Sequence, residues 1–254
     1  MSPPLGHPRL HLRSTDSTND RARALAIAGA PHGTLVTASL QTAGRGRHGR
    51  RWSAPPDSAL LMSLVLRGSP PPRLLPLIAA VAVCDIAGDE ARIKWPNDIV
   101  LLRPSGSACG ESAGAAGSGD EVAGGLAKVA GILAEGRPQD GWAVLGIGLN
   151  VAVRLEDLPA ELRDVAATLG ATPAQIEPTL ARLLDALQRR LDESAQGVLD
   201  SYRARDVLRG RDVAWSGGRG RAEGIDGEGR LVVALDGGGH TALDAGEVHL
   251  LLGL

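Results

Sequence analysis

Aromatic residues are nearly missing from this 254-residue chain, which has no Phe, one Tyr and four Trp. The core must therefore rest on Ala, Val, Leu and Ile, and a hydrophobic fraction of 43% is enough to build a sizeable one. Rows of aromatics on which nucleic-acid bases stack have little material here. Cysteine is scarce too. Cys84 and Cys109 make no disulfide framework and lack metal-ligand spacing. Cys84 sits in the apolar run LIAAVAVCDIAG and reads as a buried small hydrophobe. The six histidines are scattered without a paired spacing, which argues against a metal site built from them. No run of about 18 apolar residues occurs, and MSPPLGHPRLHL has no apolar signal core. The reading is a soluble cytoplasmic protein without membrane contact. A net charge of −2 carries no nucleic-acid signature.

What is present falls into periodic segments. Asp20–Ala28 has helical spacing, with Ser17 or Thr18 as N-cap and Ser17/Asp20 at capping-box distance. Thr34–Ser39 and Ala59–Leu66 read as strands, Leu74–Ile86 as a buried helix. Ala91–Trp95 and Ile99–Leu102 flank a turn at Pro96-Asn97-Asp98. Val129–Ala134 and Trp142–Val153 are further apolar strands, and Pro173–Ser194 has helical spacing behind Thr172 as cap. Residues 104–125 are Gly, Ser, Ala and acid without periodicity, which reads as a flexible insertion. From about Arg209 the pattern becomes short strands between Gly turns: Asp212–Trp215, Gly220–Ile225, Arg230–Leu235, His240–Leu243 and Val248–Leu252. The expected fold is α+β, a mixed β-sheet with helices over residues 1–205, followed by a small SH3-like β-barrel over 206–254.

Five segments have a composition that plain structure does not require. Gln41–Trp52, QTAGRGRHGRRW, sets Arg45, Arg47, Arg50 and Arg51 among Gly44, Gly46 and Gly49. Glycine lets backbone approach a ligand closely, and arginine offers a fixed fork of donors to phosphate or carboxylate. A solvated basic loop has the same composition. Ser17-Thr18-Asn19 stands at a helix mouth, where capping alone would account for it. Lys94-Trp95-Pro96-Asn97-Asp98 ends a strand in a tight turn; its Lys and Asp could form a surface ion pair or contact a phosphate and a metal. In Lys128–Glu135, KVAGILAE, a lysine opens an apolar strand beside Gly131. Gly146–Asn150, GIGLN, ends a Gly-bearing strand in an amide.

Taken in order, STN, QTAGRGRHGRRW, KWPND, KVAGILAE and GIGLN resemble the biotin protein ligase family, of the type without an N-terminal DNA-binding domain. The resemblance runs from about Arg13 to Val153 and continues more weakly into the C-terminal strands. It implies that ATP activates biotin to biotinyl-5′-AMP and that biotin is then passed to a lysine of the biotin carboxyl carrier protein of acetyl-CoA carboxylase. It implies Ser17, Thr18, Asn19, Gln41 and Gly44 around biotin, with Gly131 and Ile132 as floor. Arg45, Gly46 and Arg47 would belong to a loop closing over biotin and the adenylate, and Trp52 would cover the adenine side. Lys128 would contact the biotin carboxylate and the α-phosphate. Lys94, Asn97 and Asp98 would serve the nucleotide, its Mg²⁺ and the incoming amine, and Asn150 would meet adenine. Lys128, Arg47 and Asp98 are the expected catalytic residues. ATP and Mg²⁺ are the expected cofactors, and the expected assembly is a monomer or homodimer.

Two departures stand out. Asp98 and Lys128 are thirty positions apart, where the family has only a few residues between KWPND and the lysine; the 104–125 insertion accounts for the excess and should loop out of a hairpin. Sixteen residues precede Ser17, too few for the helix-turn-helix of many relatives, so DNA binding is not expected. The competing readings are a nucleic-acid module using the basic loop, a ligase for another carboxylate such as lipoate, and a non-catalytic relative.

Overall fold

Nine consecutive residues without a turn former, Ala59–Arg67, make the central strand β3. The computed structural model describes residues 4–68, 73–102 and 125–251. Around β3 a seven-stranded sheet assembles from β1 (Arg9–Leu12), β2 (Leu35–Ala38), β4 (Ala91–Lys94), β5 (Asp98–Leu102), β6 (Leu126–Arg137) and β7 (Trp142–Asn150). Its order is β1-β2-β3-β7-β6-β5-β4. The β1–β2 pair is parallel and the other pairs are antiparallel, so the sheet is mixed.

Alternation along the strands divides this sheet into two faces. Met62, Leu64, Ile132 and Ile147 turn to one side, into a core shared with α2 (Leu75–Ala87), α4 (Ile176–Asp192) and α5 (Ala195–Arg203). Helix α2 is apolar all round and accordingly buried over most of its length, whereas α4 buries one stripe, Leu180, Leu183, Ala186 and Leu187. On the other face α1 (Thr18–Ile27) covers Val36, Val65 and Val144. The rest of that face, toward Leu61, Gly146, Gly148 and Asn150, is left to the functional site. Short helix α3 (Ala160–Arg163) walls its far end.

A second, antiparallel sheet of order β11-β10-β9-β8-β12 follows, built from β8 (Asp212–Trp215), β9 (Gly218–Ile225), β10 (Leu231–Leu235), β11 (His240–Leu243) and β12 (His249–Leu250). The chain entering it lies along the outer edge of β4: Ile93 N–H donates to Arg205 O at 2.8 Å, and Val207 N–H donates to Ile93 O at 3.0 Å. Trp95 Nε1 donates to Gly229 O of the second sheet at 3.1 Å.

The expected elements are present, with corrections at their ends. Ser17 is the N-cap of α1, but its side chain makes no capping bond; Gln41 Oε1 accepts from Thr18 N–H at 2.7 Å instead, so the capping-box reading gives way to a tertiary contact. The single helix read over Pro173–Ser194 is a short 3₁₀ turn, Pro173–Gln175, then α4, with α5 as a separate helix capped by Ser194. Strand β1, too short and polar to read from its pattern, owes its existence to pairing with β2. The 104–125 segment, except Gly125, and Cys109 lie outside the described residues. Its flanks do form a hairpin, with Leu102 opposite Leu126. Among the described residues no helix is long and apolar enough to cross a membrane.

Candidate functional site

The exposed half of the sheet's second face forms the floor of a cavity of about 550 Å³, within the range of small-molecule sites. Its character changes across the floor. At the α1 end the lining groups are polar, uncharged and buried, Ser17, Thr18 and Asn19, backed by the buried Ser63. Ser63 Oγ lies 2.8 Å from Thr18 Oγ1 and 2.6 Å from Asn19 Oδ1. An amide oxygen only accepts, so Ser63 donates to Asn19. Asn19 Nδ2 in turn donates to Glu135 Oε2 at 2.9 Å. Of this group, Ser63 was not among the residues expected from sequence; its signal is a lone hydroxyl within the apolar run ALLMSLVLR.

The floor itself is backbone. Gly146, Gly148 and Asn150 alternate onto one face of β7. A Cβ at Gly146 would run into Asn19 Oδ1, and one at Gly148 would meet the Trp52 indole at 2.8 Å from its Nε1. Glycine is needed at both because neighbouring side chains occupy the space.

Charge gathers on the β4–β6 side. Lys128 Nζ and Asp98 Oδ1 form an ion pair at 2.8 Å. Lys94 stands opposite Asp98 in the β4–β5 ladder. A bulge brings Lys128 into position. Asp98 pairs with Gly131 and Ile99 with Ala130, but Val100 pairs with Lys128, so β6 carries the extra residue Val129. In a regular strand Lys128 and Gly131, three apart, would face opposite sides; with one residue inserted they share the pocket side, as bulges beside active sites commonly arrange. Lys94, Asn97 and Arg47 complete this end. Arg47 donates to Asn97 Oδ1 at 3.2 Å, and Asn97 Nδ2 donates to Ile132 O at 3.1 Å. Desolvation pulls the Arg47 guanidinium below its ordinary pKa, which the Asp98 charge opposes and the Arg50 charge reinforces.

The Arg/Gly loop folds over this floor as a small hairpin. Trp52 N–H donates to Gly44 O at 3.0 Å, Gly46 N–H to Arg50 O at 2.7 Å, and a 3₁₀ turn at Arg47–Gly49 holds His48 at φ 53°. Trp52 lies on the glycine floor with Lys128 Nζ 5.7 Å from its ring. Arg45 does not reach the Lys128 end; its guanidinium pairs with Asp20 at 2.8 Å and Glu135 at 3.1 Å. Gly44 sits at the loop base and is not part of the cavity wall, whereas Arg50 and Arg51 do line it. Arg50 pairs with Glu247, in the connection between β11 and β12.

The far end is apolar and amide-lined. Leu158, Leu162, Val165 and Ala166 form its wall. Asn150 Nδ2 is committed to Ala167 O at 2.9 Å, which turns its buried Oδ1, without a partner, toward any donor entering there. Of the other expected residues, Gln41, Gly46, Gly131 and Ile132 also line the cavity. Among the described residues no cluster of three His, Cys, Asp or Glu could hold a metal by protein ligands alone.

Comparison with known proteins identifies the family. Residues 11–151 match the biotin/lipoate A/B protein ligase family, and residues 210–251 match the biotin protein ligase C-terminal domain. A biotin–[acetyl-CoA-carboxylase] ligase of Mycobacterium tuberculosis is 35% identical over 259 residues, covering 93% of this chain and 86% of that protein. The bifunctional ligase/repressor BirA of Bacillus spizizenii is 37% identical over 163 residues, which span 60% of this chain but only 43% of its own length. A structure of biotin protein ligase from Aquifex aeolicus in complex with biotin and ATP superposes with a TM-score of 0.73 over 97% of this chain and 99% of that one, at 24% identity, a likeness of fold. This chain belongs to the biotin/lipoate A/B protein ligase family and has the fold of the biotin protein ligases.

Proposed function

We propose that the protein is an ATP-dependent biotin–protein ligase. It would activate biotin to biotinyl-5′-AMP and pass the biotinyl group to a lysine of the biotin carboxyl carrier protein of acetyl-CoA carboxylase, in the cytoplasm. The observation that carries this reading is the polarity sequence of one continuous pocket: a buried uncharged hydrogen-bonding end, a cationic middle at Lys128, and an apolar end with one oriented amide oxygen. Biotinyl-5′-AMP has the same sequence of ureido ring, phosphodiester-like anhydride and purine. Lipoate, the other cargo in the family's name, ends in an apolar dithiolane with no N–H or carbonyl to meet the hydroxyl and amide groups of Thr18 and Asn19 at that end of the cavity.

In the first step a biotin carboxylate oxygen attacks the α-phosphorus of ATP; the P–O bond to the β-phosphate breaks and pyrophosphate leaves. Negative charge concentrates at the α-phosphate, where Lys128 Nζ would stabilise it after exchanging its Asp98 partner for phosphate oxygen. Arg47, Lys94 and Arg50 would balance the remaining phosphates. In the second step the carrier lysine's amine attacks the acyl carbon, AMP leaves, and Asp98, then free of Lys128, would take the amine's proton. The closed loop excludes water from the mixed anhydride in between. Mg²⁺ would enter with ATP, held by phosphate oxygens, water and the Asn97–Asp98 turn, and would supply charge neutralisation on the phosphates. A site with one or two protein oxygens suits that ion. Residues 1–205 would hold the chemistry and residues 206–254 would support the nucleotide end through Glu247.

The test is transfer of labelled biotin to a carrier domain by the purified chain with ATP. Label should appear on the carrier only with both substrates present. Transfer of lipoate at an equal rate, or of neither acid, would remove the reading.

A further inference from the structure

Arg45, which lines the cavity, also ties the loop that closes it to two other elements. Arg45 bridges Asp20, in the first turn of α1, and Glu135, on β6. Glu135 divides its two oxygens: Oε1 faces Arg45, and Oε2 accepts from Asn19 Nδ2. Asn19 meets Ser63, Ser63 meets Thr18, and Thr18 N–H donates to Gln41 Oε1. The chain of contacts therefore begins on the loop at Arg45, crosses the buried end of the pocket, and returns to the loop at Gln41.

We propose that Asp20 and Glu135 are positioning residues forming a two-carboxylate socket for Arg45, and that Arg45 acts as the latch of the loop and not as a ligand of the adenylate phosphate. The part of this concerning the adenylate rests on the biotin-ligase reading; the latch itself does not. Two carboxylates within 3.1 Å neutralise the guanidinium and hold it away from the Lys128 end, where Arg47 stands instead. Through Glu135, the latch shares an oxygen-bearing group with Asn19, so a ligand seated against Asn19 stiffens the partner of the latch.

Trypsin reads the latch directly: cleavage is followed after Arg47, Arg50 and Arg51, the loop sites that remain when Arg45 is replaced. In the ligand-free full chain, Asp20→Asn with Glu135→Gln should raise the rate of loop cleavage roughly threefold to tenfold, the range for partly exposed ion pairs acting together. Added salt should raise the wild-type rate more than that of the double variant, which keeps the Arg50–Glu247 pair but not the Arg45 pairs to be screened. Glu135→Gln keeps an acceptor for Asn19. If it nonetheless fails to fold, Asp20→Asn alone and Arg45→Gln carry the same comparison. Labelled biotinyl-adenylate should leave the double carboxylate variant faster by a similar factor, while its formation by that variant at saturating biotin and ATP stays within about twofold. Arg45→Gln should match the double carboxylate variant, and combining all three should add nothing further. Glu177→Gln, which breaks an ion pair with Arg9 away from the pocket, should leave loop cleavage unchanged. Unchanged cleavage and retention in the carboxylate variants would overturn the latch. So would a large loss of adenylate formation in Arg45→Gln alone, which would assign Arg45 to the phosphate. A wild-type chain that forms no adenylate would overturn the functional reading, and the cleavage rates would still decide the latch.

Discussion

The Lys128 ammonium meets the Asp98 carboxylate at 2.8 Å because β6 carries one residue more than β5 between them. That pair is the point where the proposed chemistry turns from binding to reaction. Lys128→Ala should slow biotin-dependent exchange of pyrophosphate into ATP by roughly 10²–10³-fold, as loss of one preorganised charge does. Because the pair is partly exposed, unfolding should change by less than about 1 kcal/mol. Exchange at the wild-type rate would exclude the role.

Arg47 holds Asn97 across the pocket mouth. Arg47→Gly should loosen the hold on the intermediate, so that gel filtration after incubation with labelled biotin and ATP finds the label in the small-molecule fraction. Co-elution of label with protein, as in the wild type, would contradict it.

Gly146 abuts Asn19 and Gly136 does not. A Cβ at Gly136 would meet Ala143 at 3.7 Å, an ordinary contact, whereas one at Gly146 would collide with the Asn19 amide. Gly146→Ala should cost about 1–3 kcal/mol in urea unfolding and weaken biotin binding by calorimetry. Gly136→Ala should do neither. Equal effects would mean that the Asn19 slot has no special tightness.

Burial raises the Cys84 thiol to about 12 from an ordinary 9.0. The raised value belongs to the folded state, so its contribution to stability is complete below pH 9 and is lost as pH climbs toward 12. In that window the wild type should lose up to about 1.4 kcal/mol per pH unit relative to Cys84→Ala. At pH 8 the folded chain should leave Cys84 unalkylated by iodoacetamide, read by peptide mass mapping. Parallel stability curves for the two proteins would refute the burial argument.

Leu102 and Leu126 face each other at the end of the β5–β6 ladder. Replacing residues 104–124 by a short turn should therefore leave labelled-biotin transfer within about twofold. A chain that no longer folds after that replacement would give the segment a structural duty.

Much of this site could be read from order alone: of the five segments, the three on β4–β5, β6 and β7 converge because the sheet places those strands side by side, and α1 and the Arg/Gly loop lie over the same face. What could not be read depends on register. The bulge at Val129 leaves no mark in KVAGILAE, yet it decides which way Lys128 faces. Ser63 looked like one residue of an apolar strand until β3 paired it with Gly146. Arg45 and Arg47 are equivalent in the loop's composition; only the carboxylates across the pocket, Asp20 and Glu135 on one side and Asp98 on the other, send them to different ends. Helix α5 and strand β1 were hidden for a related reason, since each is short and depends on its neighbours for stability.

The strip Arg205–Val207 against β4 has a further consequence for modularity. It closes one rim of the central sheet with backbone from the connection between the two sheets. An expression boundary drawn at residue 205 would remove Val207, the donor to Ile93 O, and leave that rim partly open to solvent, an invitation to self-association. The first unit is therefore complete only when it keeps the beginning of the second. An isolated fragment should extend at least through Leu208, which is itself fully buried. Swapping C-terminal units between relatives would then have to carry the strip along with its own β4.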